Sequence, residues 1–454
     1  MIMKKYDVIF IGSGHASWHG ALILKTLGKS VALVEKELNG GTCTNYGCNA
    51  KILLDSPIEL KEALERYAGV GVNQKVEVEW NKLMAYKKQV IGYMPSALEG
   101  LFNQFGFDLI KGKASFVDAH HIEVNGEQYE AKNFVIGSGQ NYVPLEIPGK
   151  EHFKDSRDFL SLDNIPDHVT FVGAGIIGME FASICLSLGK KVDIIDLADA
   201  PLKQYPTEYV SLIKEKMEKQ GANFLFNRHV SSLEKVDEHN YVLKTQEGDE
   251  IKSNYVLVAV GRKANVDDLN LEKLGIKYSN RGIKVDNHLR TSVKNIYVSG
   301  DAIDKKIPKL TPTAEFESNY IALDIVLPKL FRKPIKYPVV PNLVFTLPRI
   351  GQVGVSIDEA KKDNNYRVES VEIGKTMAWM NKNQTEERFT FVFNKKKELV
   401  GAAVYSDEAG GYLDILTIII NQRLKAKDLS KMIFTFPTTT YALMSSLIPL
   451  MLKK

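Results

Sequence analysis

A chain of 454 residues with 44% hydrophobic and 25% charged side chains is long enough for two to four compact domains with sizeable cores. Its 59 basic and 55 acidic residues are mixed along the sequence and leave a formal charge of +4, which argues against the strong positive field of a nucleic-acid binder. No apolar run approaches the ~18 residues of a membrane span, and three cysteines are too few for a disulfide scaffold.

The first residues, MIMKKYDVIFIGSG, enter a buried-strand pattern at once and leave no room for a signal peptide, so a cytoplasmic location is expected. YDVIFIG is followed by a Gly-rich turn, a helical stretch SWHGALILKTLG and a second strand SVALVEK, which together make a βαβ unit. In the turn, Gly12 and Gly14 allow a tight bend and let a pyrophosphate approach the backbone, with the helix N-terminus behind it. Ser17 takes the third glycine position, where close helix–strand packing requires a small residue. Glu35, eighteen residues further on, ends the second strand, where it can accept a hydrogen bond from a ribose 2′-OH.

Next comes GGTCTNYGCNAK, which holds two of the three cysteines. Cys43 and Cys48 are five apart, a rotation of roughly 500° on an ideal helix that leaves their side chains about 140° apart. A disulfide there needs a distorted helix start, with which Gly40, Gly41 and Gly47 are consistent. A redox pair, a metal site and two buried thiols are all open on spacing alone. Zinc is disfavoured because it needs four ligands and no second pair of this kind exists.

Residues 52–110 read as helical and 111–147 as short strands ending in NFVIGSG, whose last residue is Gly139. The βαβ plan then returns about 160 residues after its first appearance, as VTFVGAG, IIGMEFASICLSLG and KVDIID. This turn is complete, with Gly173, Gly175 and Gly178, and Asp196 follows at the same eighteen-residue spacing. No arginine follows Asp196, so its charge favours NADH over NADPH. Cys185, on the second helix, reads as core. NYVLVAVGRKAN, containing Gly261, and NIYVSGDA are two more buried strands ending in glycine. From about 338 the chain turns to alternating strands and two helices with no phosphate loop, an α+β domain. Lys395–Lys397 fits a hairpin turn, and YALMSSLIPLML a packed terminal helix.

In combination these segments resemble the flavin-dependent pyridine nucleotide–disulfide oxidoreductases, the family of dihydrolipoamide dehydrogenase, glutathione reductase and mercuric reductase. The cysteine segment resembles the family's redox motif, TSVKNIYVSGDA its second flavin motif, and LTPTA the segment lying against the flavin ring. GMEFA and VFTLPRIGQVG also fit. The resemblance implies that Cys48 faces the flavin as a thiolate, that Cys43 meets substrate, and that Lys51, beside the flavin, pairs with Glu180. It implies FAD contacts from Gly12, Gly14, Ser17, Glu35, Lys51, Gly139, Asp301, Thr313 and Ala314, and NAD contacts from Gly173, Gly175, Gly178, Asp196 and Gly261. No metal is expected.

One departure stands out. Disulfide-reducing members carry His-Pro-Thr near the C-terminus, with Glu five residues after the His, as an acid–base dyad supplied across a dimer interface. Here Phe436 and Tyr441 occupy those two positions, and none of the nine histidines lies beyond His288. The tail also lacks the cysteine pair of mercuric reductases and of large thioredoxin reductases.

The expected fold is α/β: two Rossmann-like dinucleotide-binding domains and a C-terminal α+β dimerisation domain. FAD is assigned to residues 1–147 and 263–337, NAD to 148–262 and dimerisation to 338–454, with a homodimer implied by the resemblance. The expected activity passes electrons from NADH through FAD and the Cys43–Cys48 disulfide to a small-molecule substrate, with no nucleic acid or membrane involved. Hypothiocyanous acid or a related reactive sulfur or chlorine species is the first expectation for that substrate. A thiol–disulfide reductase of dihydrolipoamide dehydrogenase or glutathione reductase type is the second, and a non-catalytic redox-sensing flavoprotein the third.

Overall fold

The computed structural model describes residues 3–73 and 75–453. Its first sheet is built on four parallel strands in the order Asp108–Lys111, Val31–Glu35, Lys4–Ile11, Glu127–Ile136. Val8, Ile9 and Phe10 are fully buried in one core with Ala21 and Leu24 of the helix Trp18–Thr26 and with Phe116 and Ile122, which is why this strand reads as an unbroken apolar run. The short strand Ile296–Val298 returns from far along the chain and pairs parallel with Phe134–Ile136. This pairing carries the segment after it, including the helix Thr311–Val326, onto the first glycine turn, where Ser318 Oγ accepts from the Gly20 N–H at 2.9 Å.

The second parallel sheet has the order Ala222–Phe226, Lys191–Asp196, His168–Val172, Tyr255–Val258. A three-stranded antiparallel sheet, Val230–Lys235, Tyr241–Thr245 and Glu250–Ser253, shares a core with it through Val172, Ile195, Leu233 and Leu243. Cys185 is fully buried in the helix Ile176–Ser187, where burial pushes its thiol pKa up and makes it inert.

The C-terminal sheet is antiparallel, in the order Asn342–Val344, Arg349–Gly354, Leu399–Ser406, Arg388–Asn394, Tyr366–Val371. Lys395–Lys397 lies in the hairpin between Arg388–Asn394 and Leu399–Ser406. The terminal helix Thr439–Leu452 buries Leu443, Met444, Leu447 and Met451, a four-residue stripe that joins Trp379, Phe389 and Leu416 in one core. Among the described residues, no helix is long and apolar enough to cross a membrane.

Candidate active site

The two glycine turns are built alike. Gly12 has φ 106° and a Cβ there would lie 2.5 Å from the Gly137 carbonyl oxygen; Gly173 has φ 114° and its Cβ would lie 2.5 Å from that of Ala259. Each turn therefore presses its backbone onto the end of a neighbouring strand, a position only glycine fills. The acids brace these turns. Glu35 Oε2 accepts from the Ser13 N–H at 2.9 Å and from its hydroxyl at 2.7 Å. Asp196 accepts from the Ala174 N–H at 2.6 Å and from the Ala198 N–H at 2.7 Å. Ribose recognition was the sequence-level expectation for both carboxylates; holding the loop is a further task that spacing did not reveal.

Between the first sheet and the second βαβ unit lies a cleft of about 440 Å³. Gly12, Gly14, Glu35, Cys43, Cys48, Lys51, Gly139, Glu180, Asp301 and Ala314 all line it, drawn from segments up to 300 residues apart. Ser17 and Thr313 are buried and do not reach its wall; Gly173, Gly175, Gly178, Asp196 and Gly261 belong to the second module. The Oγ atoms of Ser17 and Ser138, Thr313 Oγ1 and Arg262 Nε are buried with no hydrogen-bond partner. Such atoms are costly unless something polar meets them. Of these residues, Ser138 and Arg262 line the cleft, where an extended dinucleotide fits. Asp301 is pushed above the usual carboxylate range by burial, opposed by Arg262, Lys305 and Lys309.

The cysteines sit where the backbone breaks. The helix Gly41–Tyr46 ends at Gly47, and an 18-residue helix, Cys48–Glu65, starts immediately after it. A Cβ on Gly47 would lie 3.0 Å from the Thr42 carbonyl oxygen and 3.4 Å from Cys43 Cα, so a side chain there would crowd the bend. The break removes the 140° separation of a continuous helix and brings the two thiols close enough for each to act on the other's ionisation.

Cys48 is lowered to about 6, first by hydrogen bonding from the neighbouring Cys43 thiol, against the cost of burial, then by Thr311 and by the charge of Lys51. Its position in the first turn of a long helix favours the same anion. The Thr311 hydroxyl is 3.7 Å from Cys48 Sγ. Cys43 moves the opposite way, its thiol pushed up by the hydrogen bond it donates and by burial. The pair is poised as thiol and thiolate.

Lys51 Nζ donates to both oxygens of Glu180, at 3.0 and 2.9 Å, and the Phe345 N–H donates to Glu180 at 2.9 Å. Lys51 also lies 3.9 Å above the Phe345 ring, with Arg349 stacked 4.7 Å from the same ring. Arg349 is buried and paired with Asp55 at 2.9 Å and Glu59 at 2.6 Å. Burial raises Asp55 to about 6 despite that arginine. Sequence reasoning missed this clasp from the C-terminal domain onto the cysteine helix. Phe345 and Arg349 stand in VFTLPRIGQVG, but no spacing rule points from them to a helix 290 residues earlier.

Phe436 and Tyr441 do not line the cleft. They lie at the surface of the C-terminal domain, 73% and 40% exposed, packed edge to face with ring centroids 5.1 Å apart.

Comparison with known proteins follows this geometry closely. The pyridine nucleotide-disulphide oxidoreductase family matches residues 6–318, and the dimerisation domain of the same family matches residues 340–446. A dihydrolipoyl dehydrogenase of Buchnera aphidicola is 31% identical, covering 96% of this chain and 94% of that protein. A mercuric reductase of Staphylococcus aureus is 28% identical over 94% of this chain and 79% of its own length. The HOCl-induced flavoprotein disulfide reductase RclA of Escherichia coli superposes with a TM-score of 0.86 at 23% identity, covering 98% of this chain and 99% of that one.

Proposed function

This chain belongs to the pyridine nucleotide-disulphide oxidoreductases, flavoenzymes that use FAD and a pyridine nucleotide, and from that premise we propose that it reduces a small, activated electrophile such as hypothiocyanous acid at the expense of NADH. Residues 1–147 and 263–337 would hold the flavin, 148–262 the nicotinamide nucleotide, and 338–454 would pair two subunits. Gly12, Gly14, Ser17, Glu35, Lys51, Gly139, Asp301, Thr313 and Ala314 would contact FAD, and Gly173, Gly175, Gly178, Asp196 and Gly261 the nicotinamide nucleotide. Bound FAD and nicotinamide supply the two-electron chemistry that opens the Cys43–Cys48 disulfide.

The remaining steps belong to the cysteines. The Cys48 thiolate takes the proton of the adjacent Cys43 thiol, and the Cys43 sulfur attacks the sulfur of hypothiocyanous acid. The proton held on Cys48 passes to the departing oxygen as the S–O bond breaks, so that water and not hydroxide leaves. The Cys48 thiolate then attacks Cys43 and expels thiocyanate, closing the disulfide. One thiol, one thiolate and hypothiocyanous acid become a disulfide, water and thiocyanate, in balance and without a third acid.

The observation that carries this reading is Phe436, an apolar side chain at the position where the resemblance places an acid–base histidine. General acid–base help is worth ~10²–10⁴ in rate. An ordinary disulfide needs it because its leaving thiolate has a pKa of about 8.5, whereas thiocyanate and water leave readily. Lys51 and Glu180 would then be structural and electrostatic supports of the flavin side. Anaerobic stopped-flow mixing of the NADH-reduced protein with hypothiocyanous acid, oxidised glutathione and lipoamide tests the proposal. Hypothiocyanous acid should react at least about a hundredfold faster, the lower end of that acid–base range. Efficient reduction of either unactivated disulfide would favour the thiol–disulfide reductase reading instead, with the partly exposed Tyr441 hydroxyl as the candidate hydrogen-bond donor.

A further inference from the structure

His15, which lines the cleft directly after Gly14 in the first glycine turn, is joined to His19 through Nδ1 and Nε2 at 2.9 Å. The two rings stack at 5.2 Å, and His19 stacks in turn on Trp18 at 3.6 Å. The other nitrogen of His19, Nδ1, lies 3.6 Å from the Glu315 carboxylate on the helix Thr311–Val326. A line of polar groups therefore runs from Glu315 through His19 and His15 to the cleft, beside the unpartnered and fully buried Ser17 Oγ. The line ends at the N-terminus of the helix Trp18–Thr26, which has no acidic residue in its first turn.

Four ring nitrogens are involved. A neutral pair carries two N–H groups: one is taken by the bond between the rings, which leaves one for the two outer nitrogens. Only the singly protonated pair offers an N–H to Glu315 and another to an anion in the cleft at the same time. We propose that His15 and His19 share one proton when FAD is bound and that this cation, anchored by Glu315, forms part of the pyrophosphate site. The inference rests on the reading that the flavin occupies this cleft, with its pyrophosphate at the helix N-terminus.

Burial lowers both histidines below their usual value, opposed by Glu315 and, for His19, reinforced by His15. Of the other charged groups near this turn, Asp301 is raised by burial and faces Arg262, Lys305 and Lys309, and the two remaining carboxylates are committed. Glu35 is bonded to Ser13, and Glu317 is taken by Lys305, Tyr337 and the Gly300 N–H. Cys43 and Cys48 line the same cleft but do not titrate as a disulfide. A dianionic pyrophosphate would raise the pair's pKa, so affinity is greatest below the free-state value. It then falls tenfold per pH unit until the bound-state value is passed, and levels off beyond it.

The test dilutes the oxidised holoenzyme through its FAD dissociation constant at about pH 6 to 8.5 and reads released flavin by fluorescence. The native protein should lose FAD affinity by about tenfold per pH unit over part of that range, the slope of one proton. His15→Gln and His19→Gln should each flatten the profile and weaken binding most at the acid end. Glu315→Gln should keep the slope and move it to lower pH. A flat native profile overturns the proposal, as does an unchanged slope in His15→Gln. Purified protein without flavin at any pH would instead remove the reading on which the proposal rests.

Discussion

Replacing Cys43 by alanine should raise the pKa of Cys48 more than any other single change around it. The thiol of Cys43 is the largest influence lowering Cys48, ahead of Thr311 and of the more distant charge of Lys51. A hydrogen bond to a charged group is worth ~1.5–3 kcal/mol, and one pKa unit corresponds to about 1.4 kcal/mol. Cys48 should therefore move from about 6 to roughly 7–8 in Cys43→Ala. At pH 7 the thiolate fraction would fall from about nine-tenths to between a half and a tenth.

The sign is that of a depressed acid: the thiolate persists as pH falls and is lost only on passing about 6. Alkylation of the reduced protein by iodoacetamide as a function of pH, read on the Cys48 peptide by mass spectrometry, measures this directly. Cys185 does not interfere because it is fully buried. Cys43→Ser keeps a donor and should move the midpoint much less, while Thr311→Val, which removes a contact at 3.7 Å, should fall between. An unchanged midpoint in Cys43→Ala, or equal shifts in the alanine and serine variants, would refute the hydrogen bond as the main cause.

Two further outcomes are expected. NADH should exceed NADPH in kcat/KM by about tenfold or more, because a 2′-phosphate would meet the Asp196 carboxylate and lose a ribose hydrogen bond worth roughly 1–3 kcal/mol. The nearby cations Lys203 and Arg228 are already paired with Asp199 and Asp249, so comparable steady-state values would show that this account of the strand end is wrong. Phe436→His combined with Tyr441→Glu should raise turnover with oxidised glutathione or lipoamide by about tenfold or more while leaving hypothiocyanous acid turnover nearly unchanged. Equal gains on both substrate types would argue against a role for this position in leaving-group protonation.

What the sequence determined by itself was local: the two strand–turn–helix units, the glycines of their turns, the acids eighteen residues on, and a cysteine pair set among glycines. These follow from backbone preferences and short spacings, which act within some twenty residues whatever the rest of the chain does. Only the tertiary structure decided which distant pieces complete the site. Strand Ile296–Val298 joins the first sheet beside Phe134–Ile136 and positions Asp301 and Thr311 at the cleft. Arg349 crosses from the C-terminal sheet to Asp55 and Glu59 on the cysteine helix. His15 and His19 read from sequence as unassigned residues of a turn and a helix; the structure sets their rings 2.9 Å apart, and only the tertiary fold brings Glu315 to the outer nitrogen of His19. The reason is physical: a buried charge or imidazole gains its role from the partner that satisfies it, and that partner is chosen by packing across hundreds of residues rather than by spacing along the chain.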